Sequence, residues 1–484
     1  MSKLIYSAIV ILILITACEK KNVPEKKGDD KVAWLQQTDR LVVINETGSP
    51  ITTAQMLIGN KNSENNWIHA NEQGEIIFPS SWKDIDTLTI SAPEYLTVTL
   101  FNQSPSIQTV KLKKLLPLPQ LKVEGDVSGV STKDKDGIVD FSLVMQSFLK
   151  NDILQFDVNK IISPWTENIS VAGFDIPLPQ NIFLPSQKES YFITVVLEKL
   201  NFTLNFADFG VKKISTIRGR FPFKKIISEV QNKKPYYELI NYFEMLSSGN
   251  TSASLDQNTA KVSFPANQLL FDQVKTVVAP AIPLDQVMLG LNCLKSDMSY
   301  SPIDIKYFKS KDTFNLKAVK SENQYFVGVI KNKNEFDLIN ENTERMSLVV
   351  LPWDTTTNYQ FLPLMNNPQV FGKTEFHINP PNNLDGLKNI GFTAVISEIK
   401  SLTLESGKKV DIKLAKWEFH SPQWATKIIL PDSLLPRENR YRFEISFLSQ
   451  KADNSRKVDF FSVDWSHESQ VENATHITKS AVNF

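Results

Sequence analysis

In the stretch Asp86–Ala92 (DTLTISA), apolar side chains alternate with polar ones. Side chains of a β-strand point to opposite faces in turn, so this period of two predicts a strand with one buried face. Gly74 lies in a polar turn and can take the positive φ that a tight turn needs. Six more short apolar segments lie around this stretch: Leu41–Ile44, Ala54–Ile58, Trp67–His69, Ile76–Phe78, Val98–Leu100 and Val110–Leu112. Together they predict about seven short strands in one β module.

The turns of this module carry recognisable motifs. The motifs are three short segments and a single alanine: Thr47–Ile51 (TGSPI), Ala54, Asn71–Ile76 (NEQGEI) and Ile90–Tyr95 (ISAPEY). In this order they resemble the carboxypeptidase regulatory-like domain, a transthyretin-like β-sandwich. The chain has Glu94 where that family usually has glycine. The resemblance covers about residues 38–115, with a domain expected at 37–115, and it implies a non-catalytic module that supports the folding or display of its neighbours.

The N-terminus carries an apolar run, Leu4–Ala17, preceded by Lys3. As a helix with ~1.5 Å rise per residue it would span roughly 21 Å, less than the ~30 Å hydrocarbon core of a membrane. Residues 1–17 are therefore predicted to be a cleaved export signal. Ile15–Cys18 (ITAC) resembles the lipobox of bacterial lipoproteins, which implies that Cys18 is the lipid attachment site. The alternative is an ordinary secretory signal followed by a chance cysteine.

Residues 18–36 are predicted to be a flexible tether. Nine of the thirteen residues in Glu19–Lys31 are charged, so the segment buries too little apolar surface to offset the entropy of ordering it. We therefore expect a lipoprotein of the bacterial cell envelope, held at the outer membrane through the acyl chains on Cys18.

Composition excludes some classes of partner. The 53 basic and 53 acidic side chains give a net charge of zero, and there is no basic stripe, so nucleic acid is not an expected partner. A hydrophobic content of 42% predicts globular cores. Cys293, the second cysteine, lies in the apolar segment Met288–Leu294, which predicts a buried, inert thiol rather than a reactive one.

The remainder of the chain also has the pattern of strands. Examples are Val327–Ile330, Met346–Leu351, Phe392–Ile396 and Tyr441–Phe447. We predict a β-rich domain at 116–260 with one helix near 235–247, then β-sandwich-like domains at 261–372 and 373–484. The helix follows from Pro235 and from the helical spacing of Tyr236, Leu239, Ile240, Phe243 and Leu246. The predicted fold class is mainly β, with serial β-sandwiches and few helices.

Two segments resemble parts of metal sites. His69 and Glu72 match the H-x-x-E pair of zinc carboxypeptidases, but a zinc site needs a third protein ligand and the other histidines are far away. Asp134–Asp140 (DKDGIVD) resembles a fragment of a calcium loop, but Thr132, Lys133 and Lys135 fit a hydrated hairpin better. We therefore predict no metal and no cofactor.

An aromatic pair and two serine–lysine segments could also belong to functional sites, but each has a structural explanation. Trp417 and Phe419 would share one strand face, either as a platform for sugar rings or, as we expect, as part of a core. Ser147–Lys150 and Ser397–Lys400 fit S-x-x-K without its companion motifs. No G-x-S-x-G, H-E-x-x-H or C-x-x-C is present, so no catalytic residue is predicted.

These observations favour a lipid-anchored envelope protein with a non-catalytic binding, adhesion or structural role, with an envelope protein or a glycan as partner. The alternative is an envelope hydrolase that acts on glycan or peptide through Asp or Glu residues that the sequence does not identify. A third hypothesis is an assembly factor for another envelope protein.

Overall fold

A computed structural model of the chain describes one compact unit, Thr38–Phe484. Within it, the described residues are 39–60, 66–117, 121–130, 137–150, 168–171, 174–177, 181–183, 190–195, 200–296, 299–334, 343–353, 358–382, 384–403, 409–431, 435–436, 438–452 and 467–484. The signal and the tether, including Cys18, lie outside these ranges.

The predicted mainly β fold is confirmed, because strands dominate and form several sheets. The strands of the N-terminal half are β1 (Arg40–Ile44), β2 (Gln55–Ile58), β3 (Ile68–His69), β4 (Glu75–Ile77), β5 (Asp86–Ser91), β6 (Thr97–Gln103), β7 (Thr109–Lys111), β8 (Leu121–Ser128), β9 (Ile138–Gln146), β10 (Phe148–Leu149), β11 (Asn168–Val171), β12 (Phe174–Pro177), β13 (Asn181–Phe183), β14 (Ser190–Val195), β15 (Leu200–Phe206), β16 (Gly210–Pro222) and β17 (Glu244–Leu255). Those of the C-terminal half are β18 (Ala260–Pro265), β19 (Leu269–Leu270), β20 (Gln273–Val278), β21 (Gln286–Ser296), β22 (Ser299–Phe308), β23 (Thr313–Ala318), β24 (Gln324–Asn332), β25 (Thr343–Pro352), β26 (Gln369–Phe371), β27 (Glu375–His377), β28 (Leu387–Thr403), β29 (Lys409–Ser421), β30 (Lys427–Ile429), β31 (Tyr441–Lys451) and β32 (His476–Asn483).

A single sheet runs through most of the molecule. Its thirteen strands have the order β10-β22-β21-β24-β25-β32-β31-β28-β29-β6-β5-β2-β3. All pairs are antiparallel except β29 with β6, which is parallel. Strands from each of the four predicted domains contribute to this sheet, while the domain boundaries themselves stay predictions.

Seven strands, β1–β7, lie between residues 40 and 111, in agreement with the number expected there. The three-stranded sheet β4-β1-β7 packs on β5, β6 and β2 through a common core that includes Val43, Ile90 and Leu100. Gly74 has a φ of +70°, as its turn requires, and Glu94 has a φ of +67°. Glu94 therefore adopts the left-handed conformation that favours glycine. Membership of the regulatory-like family stays a prediction.

The two faces of the large sheet are covered by different elements. Face A carries Phe326, Val349 and Phe447, and face B carries the residues in between, such as Leu348 and Leu448. Face A packs against the pair β20-β23 and against the sheet β26-β27-β30. Face B packs at one end against β4-β1-β7 and at the other against the six-stranded sheet β13-β14-β9-β16-β17-β19. The sheet β15-β8-β18 packs on β9 and β16 from the opposite side.

The single helix predicted near 235–247 is wrong in length and number. The described helices are α1 (Phe223–Gln231), α2 (Tyr236–Leu239) and α3 (His467–Asn473), with a 3₁₀ turn at Ile240–Tyr242. From Glu244 the chain is strand β17, because Glu244 and Met245 pair with β16. Sheet pairing outweighs the local helical spacing here.

Candidate ligand-binding cleft

A cleft of about 580 Å³ opens on face A of the large sheet. It lies where β31 ends and β32 begins. Five of its lining residues are polar or charged: Asn358, Gln360, Asp385, Lys451 and His476. Its volume lies within the ~300–1,000 Å³ that is usual for small-molecule sites.

His476 forms the floor of the cleft. It is the first residue of β32, and it pairs with Val349 on one side and Ser449 on the other. The residue is buried, with an exposed fraction of 3%. Its Nδ1 shares a hydrogen bond of 2.9 Å with the Thr475 hydroxyl. The imidazole therefore has a fixed orientation at the base of the cleft.

The His476 imidazole is neutral at pH 7. Burial, and secondly the nearby Lys451 ammonium, lower its pKa to about 4. A low-dielectric site disfavours the imidazolium, and a like charge nearby adds to that effect. The ring therefore offers a neutral donor or acceptor to a ligand, depending on its tautomer.

One wall of the cleft is formed by residues 358–360, whose side chains point alternately to the solvent and to the core. Tyr359 is buried in the core that packs on face A, where its ring lies 5.0 Å from that of Phe326. Its two neighbours, Asn358 and Gln360, are exposed and line the cleft. This wall thus carries two amide groups, each able to donate and accept hydrogen bonds.

The opposite wall is a tight turn before β28. The Leu387 N–H donates to the Leu384 carbonyl at 3.1 Å, and Gly386 has a φ of +79°. The Ala452 N–H donates to the Gly386 carbonyl at 2.9 Å, which ties the turn to the end of β31. The exposed Asp385 contributes a carboxylate to the cleft from this turn.

Lys451 is half-buried and points to face A from the end of β31. Among the residues that the structure describes, no carboxylate lies within 4.0 Å of its ammonium. The charge of Lys451 is nonetheless felt inside the cleft, because it lowers the pKa of His476.

The Thr475–His476 pair has the form of a nucleophile beside a base. A triad also needs a third group that orients the base, and Nε2 of His476 has no hydrogen-bond partner within the described part of the chain. Its pKa of about 4 is also far from that of an efficient general base at pH 7. Within the described part of the chain, the Thr475–His476 pair therefore does not form a catalytic triad.

A second polar cluster lies on face B. Its members come from five strands of the large sheet and are buried except for the half-buried Lys413: Lys331, Glu344, Lys413, Arg442, Glu444 and Lys479. Arg442 contacts Glu344 Oε2 at 2.7 Å through Nη2 and Glu444 Oε1 at 3.1 Å through Nε. Lys479 lies 3.0 Å from Glu444. This is an internal ion network that spans the strands.

The sequence motifs occupy separate places. His69 and Glu72 are exposed, His69 at the end of β3 and Glu72 in the following turn. Trp417 and Phe419 are 1% exposed and stack at 5.2 Å, which confirms a core and rules out a sugar platform. Residues 131–136 of the acidic loop lie outside the described residues, and Asp140 ion-pairs with Arg218 at 2.8 Å.

The two S-x-x-K lysines have structural partners. Lys150 donates to the carbonyl oxygens of Glu472 and Ala474, both at 2.7 Å. Lys400 lies 3.5 Å from Glu398. Cys293 is completely buried, and burial raises its pKa to about 12, which agrees with the predicted inert thiol.

Asp304 bears on the hydrolase alternative. Burial raises its pKa to about 6, and such a shift can mark a general acid. However, its two carboxylate oxygens accept the backbone N–H groups of Ile305 at 3.0 Å and Lys317 at 2.8 Å. Asp304 is 2% exposed and does not line the cleft, so we assign it a structural role.

Comparisons with known proteins do not assign the chain to a family. No protein-family model matches the chain, and no curated protein matches it. Within the described ranges, no helix is long and apolar enough to cross a membrane, and no group of three or more His, Cys, Asp or Glu side chains could hold a metal ion.

Proposed function

We propose that the protein is a lipid-anchored component of the bacterial cell envelope that binds a ligand without transforming it. The observation that carries the binding role is the cleft around His476. Donors and acceptors from four separate chain segments converge there. The resemblance of Ile15–Cys18 to a lipobox supports the location.

In this proposal, Cys18 holds the protein at a membrane, the outer membrane in our expectation. The charged segment 18–36 then separates the folded unit from the lipid surface. Several acyl chains on one residue support stable anchoring, since each buried methylene contributes about 0.8 kcal/mol. The ligand is a glycan or part of another envelope protein.

Substitution of Cys18 tests the anchor. Cys18→Ala is expected to release the protein from membranes or to leave its signal uncleaved, as fractionation and mass spectrometry of the N-terminus would show. Normal processing with unchanged membrane retention would contradict lipidation.

Blocking the cleft tests the binding role. The full chain is purified from membranes after crosslinking, and co-purified molecules are identified. Asn358→Trp places a bulky ring at the exposed rim of the cleft, and Gln257→Trp places one on an exposed loop elsewhere. We expect a recurrent ligand that only Asn358→Trp removes. Loss in both variants or in neither would contradict binding in the cleft.

A further inference from the structure

Lys451 is the group that decides what the cleft can hold. The residue is half-buried, and none of the described carboxylates forms an ion pair with its ammonium. Among the described residues that line the cleft, Asp385 alone carries a carboxylate, and it is exposed at the rim, where water and salt screen its charge. Inside the cleft the positive charge therefore dominates.

The remaining polar groups are neutral and suited to hydroxyls. The amides of Asn358 and Gln360 and the neutral imidazole of His476 can each donate or accept a hydrogen bond. Tyr359 is buried on its own core and is 6% exposed, so its ring face is not available for stacking. Directional recognition then depends on hydrogen bonds and on one charge, beside the apolar Leu384 and Leu387 that also line the cleft.

We propose that the cleft binds a carboxylate-bearing sugar, with the carboxylate on Lys451 and the sugar hydroxyls on Asn358, Gln360 and His476. This inference rests on the proposed binding function and specifies its ligand class. Hydrogen bonds between charged groups are roughly twice as strong as those between neutral groups, so discrimination against neutral sugars depends mainly on Lys451.

A matched pair of probes tests the charge. Methyl β-D-glucuronide and methyl β-D-glucoside differ only in a carboxylate against a hydroxymethyl group. With the full chain at pH 7 and low salt, titration calorimetry is expected to show the glucuronide binding at least about tenfold more tightly. Equal binding of the two probes, or binding of neither, would overturn the proposal.

Two lysine variants locate the effect. Lys451→Met should reduce glucuronide affinity about tenfold, to the level of the glucoside. Lys388→Met, a change at an exposed lysine of β28 that does not line the cleft, should leave it unchanged. An equal loss in both variants would mean that general surface charge, and not the cleft, attracts the acid.

The His476 ring gives a readout that does not depend on the choice of probe. Removal of the Lys451 charge should raise the pKa of His476, which an NMR titration of the ring protons would detect. An unchanged pKa would place Lys451 outside the site and overturn the proposal. A chain that keeps a ligand removable by Asn358→Trp but ignores both glycosides retains the proposed function and loses only this inference.

Discussion

At the scale of single residues, Arg442 joins both buried carboxylates of the face B ion network. Its removal leaves Glu344 and Glu444 with fewer cations in a low-dielectric interior. Breaking a buried ion pair in this way costs about 3–5 kcal/mol. We expect Arg442→Met to lower the free energy of unfolding by that amount in urea at pH 7.

Lys413 provides the control for Arg442. It belongs to the same ion network, but its charge is expected to contribute little to stability or to oppose it. Burial and the neighbouring Arg442 lower its pKa to about 8, so the folded state disfavours its charge. Lys413→Met should therefore change stability by less than about 1 kcal/mol or increase it. Equal destabilisation by the two variants would contradict this division of roles.

The lowered pKa of Lys413 also makes the free energy of unfolding depend on pH. Its pKa is about 8 in the folded protein and 10.5 as a free side chain, so between these pH values the unfolded state binds more protons. The free energy of unfolding should therefore rise with pH across this window because of Lys413. The difference in stability between wild type and Lys413→Met, measured at pH 7.5 and pH 10, isolates the effect. A pH-independent difference would show that Lys413 titrates normally.

At the scale of elements, Lys150 holds α3 in place. Its ammonium donates to two carbonyls at the C-terminal end of the helix, where backbone acceptors are free and the helix dipole is negative. A helix of seven residues does not persist without tertiary contacts. Lys150→Met should speed amide exchange in residues 467–475 without affecting β9, as mass spectrometry would show. Lys261→Met, at an exposed lysine, should have no such effect.

Gly391 allows close contact between neighbouring strands. Its φ is +116°, and a Cβ atom there would lie 2.0 Å from the backbone oxygen of Ser421. Gly391→Ala should therefore destabilise the protein by more than about 2 kcal/mol. Gly48 has a φ of +83° but open space around it, so Gly48→Ala should cost only the ~1 kcal/mol of a left-handed residue. Similar losses of melting temperature in both variants would contradict the steric argument.

Local patterns predicted most elements but not the cleft. Alternation of apolar and polar residues predicts the strands around Leu88 and Ile445, because successive side chains of a strand point to opposite faces. In β31, however, both faces are buried, Glu444 included, because other parts of the fold cover them, and the alternation does not show this. His476 has no local signal at all: its partners Asn358 and Lys451 are distant in sequence and meet it only because β25, β32 and β31 pair.

At the scale of the whole molecule, the N-terminal strands complete the large sheet. The parallel pairing of β6 with β29 covers the edge of β29, and Trp417 Nε1 donates to Thr99 Oγ1 at 2.8 Å. A chain starting at residue 116 would expose this edge and is expected to aggregate in size-exclusion chromatography. A chain starting at residue 38 removes the same signal and tether but keeps β6, and should stay soluble. If the chain 116–484 were soluble and equally stable, β6 would not be needed to protect the edge of β29 from aggregation.

The pairing of β6 with β29 also sets an order of events during synthesis. Thr99 and Trp417 are 318 residues apart, so at about 5–20 residues per second the ribosome needs roughly 15–60 s to make the partner strand. Until then, the edge of β6 that pairs with β29 has no partner strand. The protein should therefore acquire protease resistance only after its last third has been made, and it should depend on holding chaperones before then. Pulse-chase proteolysis that finds β6 protected earlier would contradict this timing.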